Sequence, residues 1–131
     1  MKASYQRKLA LEELSALLKE LREYVDVVLV EGLHDVDSLK ALGCTTKLEI
    51  LNHPGVNDFD LADQITSKYS SVLILTDFDE EGLALNKRFS SILEIKGVKI
   101  EYGMRARVGR LMAMIGVYAI ESLDNIQDVL G

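Results

Sequence analysis

Three acidic side chains stand where apolar runs break off. Glu31 follows Val27-Val28-Leu29-Val30, and Asp77 and Asp79 follow Val72-Leu73-Ile74-Leu75-Thr76. A buried strand that runs straight into an acid leaves it at the rim of a sheet, on rigid backbone and within reach of water. Asp77 and Asp79 are two apart, so an extended chain points both to one side and Phe78 to the other. Two neighbouring carboxylates repel unless a proton or a cation intervenes. A hard divalent cation such as magnesium takes oxygen ligands and keeps waters that a phosphate can displace. Glu31, if its strand lies beside that of Asp77, adds a third oxygen ligand or a general base. The competing reading is helix capping, because Asp79, Glu80 and Glu81 open a helix whose positive end favours acids. Capping accounts for Glu80 and Glu81 and leaves Asp77 unexplained.

The elements that must position these acids follow from hydrophobic spacing. Residues 4–24 carry Tyr5, Leu9, Leu14, Leu17, Leu18 and Leu21 at three-to-four spacing. That is an amphipathic helix with Ser4 as its cap, packed on the domain or on a partner chain. Strands are expected over residues 25–30, 47–51, 71–76 and 98–102, with a last short strand over 117–120. Helices are expected over 35–42, capped by Asp35 and stopped by Gly43, and over 60–69 and 80–95, with a helical turn over 107–114. The cluster Asn52-His53-Pro54-Gly55-Val56-Asn57-Asp58 forms a loop after the second strand. Strand–helix alternation with short connections predicts an α/β three-layer sandwich, a mainly parallel four-stranded sheet flanked by helices in a Rossmann-like arrangement. The expected organisation is an N-terminal helix over 1–24, the sheet domain over 25–120 and a C-terminal tail over 121–131, one domain in all.

Composition narrows the function classes. The 131 residues are 48% hydrophobic and 27% charged, which suits one globular domain and excludes general disorder. No apolar run approaches the roughly 20 residues that a membrane-spanning helix needs, and charge runs throughout residues 1–20, unlike an export signal. The single cysteine, Cys44, excludes an internal disulfide and a multi-cysteine zinc site. A cytoplasmic protein without membrane contact is expected. Net charge is −6 but unevenly spread, −9 over residues 25–86 and +5 over 87–110. Carboxylates holding a metal beside Lys and Arg holding phosphate would give that pattern, and so would unevenly charged solvated helix faces. Lys87, Arg88, Arg105 and Arg107 are the expected phosphate or nucleic-acid contacts. His34 and His53 lie in polar loops without a partner at ligand spacing and read as solvated. Cys44 reads as semi-buried, Met112 and Met114 as core filler, and Tyr102 and Tyr118 as core or hydroxyl anchors.

Two motifs carry a resemblance. Val30-Glu31-Gly32-Leu33-His34-Asp35 with Leu39 is similar to the first signature of Toprim domains, a strand-end Glu-Gly followed by an Asp. Thr76-Asp77-Phe78-Asp79-Glu80-Glu81-Gly82 resembles their second signature, D-x-D-x-x-G, and lies 46 residues further on. The resemblance covers about residues 25–120. It implies kinship with the Toprim domains of primases, topoisomerases and the nuclease that matures 5S ribosomal RNA, and above all with small stand-alone Toprim proteins. It further implies that Glu31 is a general acid/base or metal ligand, that Asp77 and Asp79 coordinate Mg²⁺ (Mn²⁺ substituting, one or two ions), and that Gly32 and Gly82 permit tight turns. The chain lacks the tyrosine domain of topoisomerases and the zinc module of primases. The expected activity is therefore Mg²⁺-dependent cleavage of RNA or DNA phosphodiesters, a nuclease. Two alternatives stay open. One is a nucleic-acid-binding Toprim module that works with a protein partner held by the N-terminal helix. The other is a receiver-like phosphoacceptor, a fold that also gathers acids at strand ends.

Overall fold

The computed structural model describes residues 2–124 and 126. Helix α1 (Lys2–Glu20) runs into a 3₁₀ turn (Leu21–Glu23) and then into β1 (Val27–Val30). There follow α2 (Leu33–Ala41), β2 (Lys47–Ile50), α3 (Asp58–Lys68) and β3 (Ser71–Ile74). The chain continues through α4 (Glu80–Ile95), β4 (Lys99–Ile100) and α5 (Tyr102–Ile115) to a second 3₁₀ turn (Ile120–Leu123). The strands form one sheet in the order β2-β1-β3-β4, and every pairing is parallel.

Strand β1 shows why the sheet is central. Val27, Val28, Leu29 and Val30 are all fully buried, as expected of a strand covered on both faces. Side chains alternate, so Val28 and Val30 join Leu14, Leu18, Leu39 and Met112 in one core. Val27 and Leu29 join Ile65, Phe89 and Leu93 in the other. Helices α1, α2 and α5 cover the first face, and α3 and α4 cover the second. This is the three-layer sandwich expected from the sequence.

Several local expectations change. Helix α1 starts at Lys2, so Ser4 lies inside it rather than capping it. Its leucine stripe packs on the domain: Leu14, Leu17, Leu18 and Leu21 are buried in the same core as Leu111, Met112 and Ile115 of α5. Tyr5 and Leu9 remain exposed. Helix α2 starts at Leu33 with Gly32 as its cap, which places Asp35 in the first turn. Asn57 caps α3 by accepting the Asp60 N–H at 2.9 Å. The helical turn predicted over 107–114 is part of the 14-residue α5, which extends through two glycines. Gly109 admits the ring of Phe78, whose nearest atom would lie 2.7 Å from an added Cβ.

No strand forms over 117–120. Instead the Tyr118 carbonyl accepts the Phe78 N–H at 2.7 Å, so this stretch secures the chain beyond β3. Residues 121–124 do not form a loose tail, because Ile120 and Leu123 are buried and their 3₁₀ turn packs on α2. Residues 125 and 127–131 of the expected tail lie outside the described residues. Met112 is fully buried, whereas Met114 is exposed. Among the described residues no helix is long and apolar enough to cross a membrane.

Candidate active site at the carboxyl end of the sheet

The chain leaves β1 towards β2 on one side and returns to β3 on the other. Such a reversal of strand order opens a crevice beyond the carboxyl ends of the two strands, because their following helices diverge. Leu29 is paired with Ile74, so Glu31 and Asp77 emerge together on either side of that crevice. Glu31 Oε2 accepts the Asp77 N–H at 3.0 Å. Asp77 Oδ1 in turn accepts the Ile120 N–H at 2.8 Å, which ties the C-terminal 3₁₀ turn to the site.

Asp79 has a different setting. Its Oδ1 accepts the Gly82 N–H at 2.8 Å and caps α4, as the capping reading of the sequence foresaw. The acid beside Glu31 and Asp77 is Asp35, which is buried and accepts the Gly32 N–H at 3.1 Å. Burial pushes the Glu31 carboxyl up from 4.5 to about 7; the Asp77 N–H opposes this, and the negative charges of Asp77 and Asp35 add to it. Asp35 is likewise raised by burial, then by the charges of Asp77 and Glu121. Among the described residues no three His, Cys, Asp or Glu side chains are gathered closely enough to hold a metal ion. The donors on offer are the Glu31 carboxylate and the second carboxylate oxygens of Asp77 and Asp79.

Arg105 is a buried cation of the site, in a position that differs from a solvent-facing phosphate clamp. It is only 7% exposed and reaches from α5 under the end of β3. Its Nη1 donates to the Ile74 and Thr76 carbonyls at 3.0 and 2.9 Å, and Nη2 to the Asp77 carbonyl at 3.3 Å. The guanidinium lies over the Phe78 ring, 4.3 Å from its centroid. Burial lowers its pKa to about 10 while the charges of Glu31 and Asp77 act to hold it up. Arg105 therefore fixes the backbone that carries Asp77. Arg105→Ala strips three carbonyls of their donor and removes a positive charge that acts on Glu31 and Asp77. An expected loss of about 3–5 kcal/mol should appear as a lower denaturant midpoint at unchanged m-value. Arg105→Lys should recover only part of it, since an ammonium cannot serve three carbonyls in one plane.

The other basic residues scatter. Arg107 pairs with Glu13 of α1 at 3.3 Å, and Lys87 is exposed on α4. Arg88 pairs with Asp58 at 2.6 Å and faces the crevice side of the sheet end. There a cleft of about 440 Å³ extends from Glu31 between the 52–57 loop and α4, lined also by His53, Leu51, Val56 and Leu85. His53 thus shares a cleft with Glu31, a proximity that its lack of ligand spacing concealed. Of the two motif glycines, Gly82 is needed for space, because an added Cβ would lie 2.0 Å from the Asp77 carbonyl oxygen. Gly32 has extended backbone with φ −151° and nothing within 4 Å of an added Cβ, so neither conformation nor crowding requires it. Tyr102 is a hydroxyl anchor, donating to Glu94, and Tyr118 is exposed.

No protein-family model matches the chain. The chain is 39% identical over 82 residues to a UPF0292 protein of Pyrococcus furiosus, a match spanning 63% of this chain and 60% of that protein. It is 34% identical over 116 residues to a UPF0292 protein of Methanosarcina barkeri, spanning 86% of this chain and 79% of the relative. Its fold is similar to that of a protein from Aquifex aeolicus, with a TM-score of 0.62 at 22% identity, over 88% of this chain and 95% of the other. Descent shared along most of both chains with the Methanosarcina protein means that this chain belongs to the UPF0292 family.

Proposed function

We propose that the chain is a cytoplasmic, Toprim-type, Mg²⁺-dependent enzyme that cleaves nucleic-acid phosphodiester bonds. The observation that carries this reading is the meeting of Glu31 and Asp77 across the β1/β3 crevice, with Glu31 Oε2 on the Asp77 N–H at 3.0 Å. The donor set fits magnesium. It consists of hard carboxylate oxygens; burial first, and then the charges of neighbouring acids, raises Glu31 and Asp35, and a cation would offset both. Magnesium is commonly held by one or two carboxylates, its remaining positions filled by water and substrate phosphate. A site with Asp77 as the main ligand and Asp79 as a second meets that requirement without a three-acid cage.

Bound magnesium would neutralise phosphoryl charge in the transition state. The chain's own groups do the rest. Glu31, at about 7, exchanges a proton readily near neutral pH and can take it from an attacking water or return it to the leaving oxygen. Arg105 holds the Asp77 backbone in place and balances the charge of the acids. The apolar packing of β1 and β3 keeps the two strand ends in register.

The test is cleavage of labelled RNA and DNA oligonucleotides by the purified chain. Activity should require Mg²⁺, vanish with chelator and fall by about 10²-fold or more in Asp77→Asn, a variant that keeps the acceptor for the Ile120 N–H. Cleavage that persists in chelator, or that is equal in Asp77→Asn, would remove the mechanism.

A further inference from the structure

The cleft beside Glu31 continues past the residues that the proposed chemistry uses. Its lining includes Arg88, whose Nε donates to Asp58 Oδ2. That bond fixes the guanidinium plane and leaves the Nη nitrogens with no hydrogen-bond partner among the described residues. An arginine held by one edge and free along the other is a ready fork for a phosphate. The same cleft is lined by Glu31, His53 and the apolar side chains of Leu51, Val56 and Leu85. A volume of about 440 Å³ falls within the usual range for a small-molecule cleft, roughly 300–1,000 Å³.

We propose that this cleft seats one nucleotide of an unpaired strand, its phosphate on Arg88 and its base on the apolar side chains, beside the bond processed at Glu31. The inference rests on the phosphodiester reading of the Glu31 end and adds the substrate class. Glu31, Asp58 and Glu81 share the cleft, so it tolerates one phosphate at Arg88 but repels the dense phosphate rows of a duplex. Phe59, next to Asp58 in the first turn of α3, is 65% exposed and offers a face on which a further base can stack. The binding path thus runs over the α3–α4 side of the sheet end, away from Arg107.

The experiment uses the full chain carrying Glu31→Gln, so that bound strands stay intact, with Mg²⁺ present. Fluorescence anisotropy follows a labelled single-stranded ten-nucleotide probe and its duplex. Single-strand binding should exceed duplex binding and weaken about tenfold or more when Arg88→Ala is added. Arg88→Lys should recover part of the loss. Arg22→Ala removes the same charge just before β1, at the opposite end of the sheet, and should stay within about twofold. With Glu31 restored, Arg88→Ala should raise KM and leave kcat within a few-fold. Equal effects of Arg88→Ala and Arg22→Ala, or duplex bound as tightly as single strand, would overturn the proposal. Arg88-dependent binding by a chain that cleaves nothing would overturn the phosphodiester chemistry and leave the nucleotide seat standing. Cleavage indifferent to Arg88 would overturn the seat alone.

Discussion

Glu31→Gln should reduce Mg²⁺-dependent cleavage by about 10²–10⁴-fold and at the same time raise the melting temperature of the metal-free chain at pH 8. Both effects come from one carboxyl. Gln retains an oxygen that accepts the Asp77 N–H, so the strand ends keep their geometry, but it cannot carry a proton to or from the reacting oxygens. The stability gain follows from the raised pKa, 4.5 in the unfolded chain against about 7 in the folded one. Between those values the folded chain binds more protons than the unfolded chain, so stability falls as pH rises through the window. The full penalty is present above pH 7 and absent below pH 4.5. The melting-temperature advantage of the Gln variant should therefore be largest at pH 8 and vanish towards pH 4. Added Mg²⁺ should raise the melting temperature of the unmodified chain at pH 8, since an ion that binds only the folded state stabilises it. Melting curves at several pH values, with and without Mg²⁺, read all of this. An advantage that does not change with pH would show that Glu31 is not held in a charge-repelling position.

Gly82→Ala has the second large effect, and it is mechanical. Gly82 lies in the first turn of α4, pressed against the chain that leaves β3. Its N–H donates to Asp79 Oδ1, and its carbonyl accepts from the buried Thr76 hydroxyl at 2.7 Å. An added Cβ would lie 2.0 Å from the Asp77 carbonyl oxygen and 2.5 Å from its carbon, both backbone atoms that a rotamer change cannot move. The turn must open, and the expected cost is about 3 kcal/mol or more. Displacing the Asp77 carbonyl also disturbs its contact with Arg105, so activity should fall further than stability alone dictates. Gly32→Ala is the internal comparison, with nothing within 4 Å of its added Cβ, and should cost no more than about 1 kcal/mol as a cap change. Denaturation midpoints of the two variants measure the contrast. Equal losses would contradict the packing at the end of β3.

The motif glycines illustrate what a pattern leaves out. Side by side in the sequence, Gly32 and Gly82 look like equivalent turn residues after strand-end acids. The structure separates them, because only Gly82 lies beneath another stretch of backbone. The acids divide in a similar way. Asp77 and Asp79 share a two-residue spacing, yet Asp79 caps α4, while the charges that act on Glu31 come from Asp77 and then from Asp35 of α2. The basic stretch over 87–110 looks continuous in the sequence, but helix α4, strand β4 and helix α5 carry it to different faces. Arg105 ends buried, Arg107 on α1 and Arg88 beside Asp58.

The order of strands and helices from α1 to β4, burial of β1 on both faces and placement of Glu31 and Asp77 beyond strand ends were legible from the residues themselves. Those properties depend on hydrophobic runs and their terminators, which are local and act over a few residues. Folding alone decided which acid neighbours Glu31, which arginine is buried, and that His53 and Arg88 share one cleft with it. Those outcomes depend on how helices cross the sheet, and small differences in packing there bring together side chains that no spacing in the sequence relates.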